Sequence, residues 1–317
     1  MEMTKTLKLR IKDKHARVLS AMAREVNTVW NFCNETSHRS IGKAAVLLLS
    51  SWLALPVWAQ CRLPSETLVQ VAPSALHPSD RLLRKCFEDY SVVWSPVTLA
   101  PVVTLELLEP ERIRQARKLP RTHDFHEMPA PKGVRVAWLS DFKRSGYDRG
   151  HMAPNGDMST SQAQWESFSL INVVAQNSVL NRGSWAAIES LLREYVVVND
   201  TPVWVLTGPG WERPPASLPR LKGDKSPAIP NAVWKLVHIP KYQLTGAVWA
   251  TNPPPGKDSP KAVYEFLSLD EFGQRTGLVP SLGMSAPQMG EQARRTPVES
   301  WMPQLFRGLP LRQVARP

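Results

Sequence analysis

The sequence predicts an α+β fold over residues 61–285, preceded by an unrelated N-terminal segment. Short β-branched runs alternate with helically spaced segments between residues 161 and 207, which points to mixed structure. Ala232 to Ile239 and Gly246 to Thr251 read as paired strands, ended by the Asn252–Pro255 turn. An apolar run of 15 residues, 44–58, separates this region from a basic leader.

The leader, residues 1–41, opens with alternating apolar and basic residues, a pattern that predicts a short strand. A helix to about Thr36 follows, with Ala21, Val26, Val29, Trp30 and Cys33 on its apolar face. The run Glu25-Val26-Asn27-Thr28-Val29-Trp30-Asn31 resembles the N-terminus of TnpB-type transposon proteins. That family's catalytic region and zinc ribbon do not follow, so the resemblance carries no activity. Residues 42–60 have the layout of a secretory signal: basic Arg39 and Lys43 precede the apolar run, Pro56 breaks it, and Val57-Trp58-Ala59 offers a cleavage site. The run falls short of the roughly 20 residues of a spanning helix. The expected location is periplasmic or secreted with no stable membrane partner, or tethered to the inner membrane if the segment is not cleaved.

Within 61–130, Leu63 to Pro78 reads as loop and Leu82 to Val93 as an apolar cluster. Pro110 to Lys118 reads as a helix stopped by Pro120. Val134 to Leu139 reads as a strand, and Ser145-Gly146 turns the chain into a strand over Asp148–His151. Gln162 to Ser169 is expected to be helical with Ser161 as cap, and Leu170 to Val174 a strand. Trp185 to Tyr195 reads as a helix with Trp185, Ile188 and Leu192 inward. Thr201 to Thr207 reads as a buried strand ended by Gly208-Pro209-Gly210. Pro214 to Ala228 reads as a loop, and Leu269 to Thr276 as a helix stopped by Gly277. Residues 286–317 read as a basic, Pro-rich tail without periodicity.

Composition bounds the function. Hydrophobic content of 43% is that of a soluble globular chain, and 29 prolines imply many loops. The net charge of +11 suits a polyanionic partner. Three cysteines without Cys-x-x-Cys spacing exclude a zinc ribbon or dithiol redox site. Export would make Cys61 and Cys86 disulfide candidates; the alternative is two unrelated buried thiols.

The chemistry concentrates in Tyr147-Asp148-Arg149-Gly150-His151-Met152-Ala153-Pro154-Asn155-Gly156-Asp157-Met158 and in Leu180-Asn181-Arg182-Gly183-Ser184-Trp185, followed by Glu189. Hydrolysis of a phosphodiester needs a base for water, positive charge for the non-bridging oxygens, and a metal ion or acid for the departing oxygen. His151 suits the first, since an ordinary imidazole titrates near working pH. Asn181 is the metal candidate, because magnesium keeps most of its waters. Glu189, two helical turns on, suits a metal-bound water better than direct ligation.

These stretches, with Asn172 and Gln176, resemble the signature of the DNA/RNA non-specific endonuclease family. The resemblance runs from about Cys61 to Met284 and includes Thr207-Gly208-Pro209, Trp234-Lys235 and Thr276-Gly277-Leu278. It implies a ββα-metal nuclease fold with a central antiparallel sheet and flanking helices. It implies His151 as general base, Asn181 as holder of one Mg2+ (Mn2+ as substitute), and Glu189 bound to it through water. It also implies Arg149 and Arg121 as catalytic and substrate-contacting arginines, Asn172 as orienting the site, and Gln176 as a substrate contact. Asp148 is expected to be structural, orienting Arg149. The implied partners are DNA and RNA, with a homodimer as a further option. Two departures stand out. Ile171 and Ala175 replace the usual Ser and Pro, and Val92 to Leu107 is apolar, so substrate contacts there are expected to differ. The competing readings are a non-cutting nucleic-acid binder of the same fold and a mobile-element binding protein using residues 1–41.

Overall fold

The structure, a computed structural model, describes residues 62–63, 65–74, 81–129, 134–212, 217–282 and 296–307. All belong to the unit that begins at Cys61. The leader and signal-like segment, Cys33 and Cys61 lie outside the described residues, as do most of the C-terminal tail and the centre of the Pro214–Ala228 loop.

The strands are β1 (Val69–Val71), β2 (Leu83–Cys86), β3 (Tyr90–Ser95), β4 (Ala100–Leu108), β5 (Asp148–His151), β6 (Val173–Gln176), β7 (Val203–Gly210), β8 (Ala232–Ile239), β9 (Leu244–Thr251), β10 (Tyr264–Leu267) and β11 (Leu278–Pro280). Among the described residues, seven form one antiparallel sheet in the order β10-β9-β8-β7-β4-β3-β2. The helices are α1 (Pro110–Ala116), α2 (Leu139–Phe142), α3 (Ser161–Ser167), α4 (Ala186–Val198), α5 (Leu269–Thr276) and α6 (Val298–Leu305).

Alternation along β8 shows the layering. Val233, Val237 and Ile239 join α4 and α6 in one core, whereas Ala232, Trp234 and Leu236 join α5 in another. Every residue of β8 is therefore buried, as expected of a strand covered on both faces. On α4, Ile188, Leu192 and Val196 form the inward stripe at helical spacing.

Several expectations are corrected. Val134–Trp138 forms no strand and leads into the short α2. Thr160, not Ser161, caps α3, its hydroxyl accepting from the Ala163 amide at 3.0 Å. Leu170–Asn172 is a 3₁₀ turn, and the strand follows it as β6. Gly208-Pro209-Gly210 does not end β7 but pairs with β8 down to Ala232. The glycines make room for indoles: a Cβ on Gly208 would lie 2.5 Å from Trp234, and one on Gly210 2.3 Å from Trp249. The tail contains α6, whose Val298, Trp301 and Met302 are buried; a Cβ on Gly246 of β9 would strike Val298 at 2.8 Å. Val92–Leu107 forms most of β3 and β4, so its apolar character is that of central strands.

Candidate active site

Beside the large sheet, β5 and β6 pair antiparallel, with Gly150 opposite Val174 and His151 opposite Val173. A helical segment follows β6, so the unit reads β, β, α. Asn177 caps it, its side-chain oxygen accepting from the amides of Val179 at 2.9 Å and Leu180 at 3.1 Å. The helix then widens into a π turn over Asn181–Trp185, with Gly183 off helical geometry at φ −102, ψ −110, before resuming as α4. Such widened turns recur at functional sites. Gly150 allows the close approach of β6, since a Cβ there would lie 2.1 Å from the Gln176 amide oxygen.

A cavity of about 740 Å³ opens at this unit. His151, Arg149, Arg121, Asn181 and Glu189 all line it. Arg149 and His151 alternate onto one face of β5. The Arg149 guanidinium lies over the Phe125 ring at 4.4 Å, and the His151 ring packs against Phe125 and Phe168, each at 4.9 Å. The His151 Nε2 is buried and has no hydrogen-bond partner among the described residues. Burial, then the charges of Arg121, Arg149 and His123, hold the imidazole down to about 3, so it is neutral at physiological pH.

Asp148 does not pair with Arg149 as expected. It accepts from Arg182 at 2.8 and 2.7 Å and from the Asn181 Nδ2 at 2.9 Å. Burial pushes this carboxyl up, but those hydrogen bonds and the positive charge of Arg182 and Arg149 outweigh it and leave it below its ordinary value. With its Nδ2 engaged by Asp148, Asn181 keeps its carbonyl oxygen as the free acceptor. Glu189 stands 14% exposed with the Lys235 ammonium 3.8 Å away. Burial raises its pKa, opposed by Lys235 and Arg193.

Asn172 and Gln176 do not line the cavity. Asn172 is fully buried; its amide accepts from the Ala153 N–H at 2.9 Å and donates to the Ala153 and Ser167 carbonyls, each at 2.8 Å. It fixes the backbone two residues past His151 rather than meeting a ligand. Gln176 is fully buried beneath Gly150, out of reach of a substrate, which corrects its expected role.

Sequence reasoning missed three groups. Arg193, one turn past Glu189, lines the cavity and donates to Asp157 at 2.7 Å. His123 lines it from the Arg121–Phe125 segment. Lys235 is 1% exposed and donates to the Thr207 hydroxyl at 2.9 Å and the Met152 carbonyl at 3.4 Å. The helical i, i+4 spacing of Glu189 and Arg193 was the available signal for the first. The alternation Arg121, His123, Phe125 was the signal for the second.

The model of the DNA/RNA non-specific endonuclease family matches residues 75–281, more than half of the chain. The nuclease of Serratia marcescens is 35% identical over 139 residues, covering 42% of this chain and 50% of its own. The mitochondrial nuclease EXOG of Danio rerio is 41% identical over 168 residues, covering 49% and 48%. Human mitochondrial endonuclease G is 33% identical over 167 residues, covering 51% and 48%. The chain spans about half the length of these relatives. Family match and site geometry converge: this chain belongs to the DNA/RNA non-specific endonuclease family.

Proposed function

We propose that the protein is a magnesium-dependent, sugar-non-specific endonuclease that hydrolyses phosphodiester bonds of DNA and RNA. One observation carries this: the His151 imidazole, its Nε2 without a hydrogen-bond partner among the described residues, lines one cavity with Arg149, Arg121, Asn181 and Glu189.

The residues fit a hard divalent cation. The Asn181 carbonyl oxygen and the Glu189 carboxylate are oxygen donors in one cavity, and Asp148 fixes which way the Asn181 amide faces. Asn181 would hold Mg2+ (or Mn2+), and Glu189 would bind it through water. When bound, the ion would neutralise developing charge on the phosphate.

The chain's own residues do the rest. His151, uncharged, takes a proton from the attacking water. Arg121 and Arg149 hold the non-bridging oxygens, and their charge is offset by the incoming phosphate. Asn172 holds the Ala153 backbone and so keeps His151 in place.

The remaining elements belong to the same proposal. Residues 1–41 are a foreign leader and 42–60 an export signal. The nuclease domain begins at residue 61 and takes in α6 of the C-terminal segment, whose Val298, Trp301 and Met302 are buried in its core. A Cys61–Cys86 disulfide forms in an oxidising periplasmic or secreted location, and the protein can act as a homodimer. The test is digestion of plasmid and of RNA with Mg2+, with Mn2+, and with chelator. Cutting of both substrates that stops on chelation is expected; unchanged cutting in chelator overturns the metal assignment.

A further inference from the structure

Two imidazoles share the cavity, and their surroundings differ. His151 is half-buried with its Nε2 enclosed; His123 is exposed. Arg121, His123 and Phe125 alternate along an extended segment, so all three meet the cavity. The segment is anchored on both sides of His123. The Thr122 amide donates to the Gln164 side chain at 3.1 Å, and His126 exchanges backbone hydrogen bonds with Phe168 at 3.2 Å and Leu170 at 3.0 Å. The His123 ring lies edge-on to Phe168 at 6.4 Å, and Phe168 is the ring that also packs His151 at 4.9 Å. The two imidazoles therefore flank one aromatic wall. Neighbouring His126 is engaged otherwise, stacked on Trp165 at 4.1 Å and bonded to the Asp124 carbonyl at 3.0 Å. No hydrogen bond holds the His123 ring among the described residues.

Resting on the nuclease reading above, we propose that His123 is a second catalytic residue, the acid that protonates the departing oxygen. In-line displacement at phosphorus separates the entering and leaving oxygens, so a base and an acid at different points of one cavity divide the work. As water attacks, the new P–O bond forms and the water proton passes to His151. The P–O bond to the leaving group breaks, its electron pair stays on the departing oxygen, and that oxygen takes the His123 proton. His151 then releases its proton and His123 regains one from solvent, which its exposure allows. One water is consumed and no other reactant is needed. His151 packs against two aromatic rings with its Nε2 enclosed, whereas the His123 ring faces solvent.

The test uses the full chain and duplex oligonucleotides in which sulfur replaces the bridging oxygen, one isomer for each side of the phosphorus. A thiolate departs without a proton. His123→Ala and His123→Gln are expected to lose about 100-fold in kcat on ordinary DNA, with KM little changed. On the isomer cleaved at its P–S bond, both variants are expected to stay within about threefold of wild type. An equal loss on both substrates, or no loss on ordinary DNA, overturns the proposal. Circular dichroism and thermal melting of both variants exclude misfolding as the cause. Wild-type protein that cuts neither substrate overturns the nuclease reading itself, and this assignment with it.

Discussion

Removing the Asp148 carboxylate tests how the site holds its asparagine. Asp148→Ala deletes the acceptor that takes the Asn181 Nδ2 at 2.9 Å. The amide is then free to turn, and either its oxygen or its nitrogen faces the cavity. A hydrogen bond to a charged group contributes about 1.5–3 kcal/mol. Loss of such an outer partner weakens metal binding by about 10- to 100-fold. The Arg182 side chain, also lost as a partner, is 75% exposed, so its pair contributes little to stability. The Asn181 hydrogen bond therefore dominates the effect, and the melting temperature should fall by about 3–12 °C. Isothermal titration of Mn2+ and Mg2+ into the full chain reads the affinity, and Arg182→Ala is the control, expected to bind within about threefold of wild type. Wild-type affinity in Asp148→Ala would refute the orienting role; equal loss in Arg182→Ala would show that net charge, not amide orientation, is what matters.

Other perturbations have definite outcomes. Gly150→Ala would place a Cβ 2.1 Å from the Gln176 amide oxygen and 2.6 Å from its Cβ, so it should destabilise by about 1–3 kcal/mol and displace His151; Gln176→Gly should restore more of both than Gln176→Ala, which keeps the Cβ, in urea denaturation and activity. Lys235→Met leaves Glu189 and the buried Glu106 without their common ammonium, and a loss of about 3–5 kcal/mol is expected; adding Glu106→Gln should recover part of it. His238 is held down to about 4 by burial and bonds Thr245 at 2.8 Å. Its depressed value means the unfolded chain takes the proton first as pH falls, so its stabilisation is full above about pH 6.5, drops by about 2 kcal/mol by pH 5, and is exhausted below the folded value. His238→Gln should flatten that part of a denaturant-measured stability profile, and an unchanged slope would remove His238 as its source.

Much of the site was legible because its residues lie close in sequence. His151, Arg149, Asn181 and Glu189 sit within one β, β, α unit, and local spacing predicts their shared cavity. What was not legible depends on partners distant in the chain. Asp148 was expected to serve its neighbour Arg149, yet it reaches Asn181 and Arg182 because β5 lies beside the π turn. Gln176 falls next to the site in sequence but under β5 in space, and only strand pairing shows that. Gly208-Pro209-Gly210 carries turn residues inside a strand, since tryptophans on β8 and β9 require the missing Cβ atoms. α6 was hidden in a Pro-rich tail because its apolar stripe is short and interrupted by Pro303; the core beneath Gly246 and α4 holds it in place.

The most direct test of the central claim is single-turnover cleavage of plasmid and RNA by wild type and His151→Ala in Mg2+, with folding checked by circular dichroism. Wild type is expected to cut both substrates, and His151→Ala, folded, to lose nearly all cutting of each. A folded His151→Ala protein that cuts at the wild-type rate would contradict the assignment of His151 as the base and the account built on it.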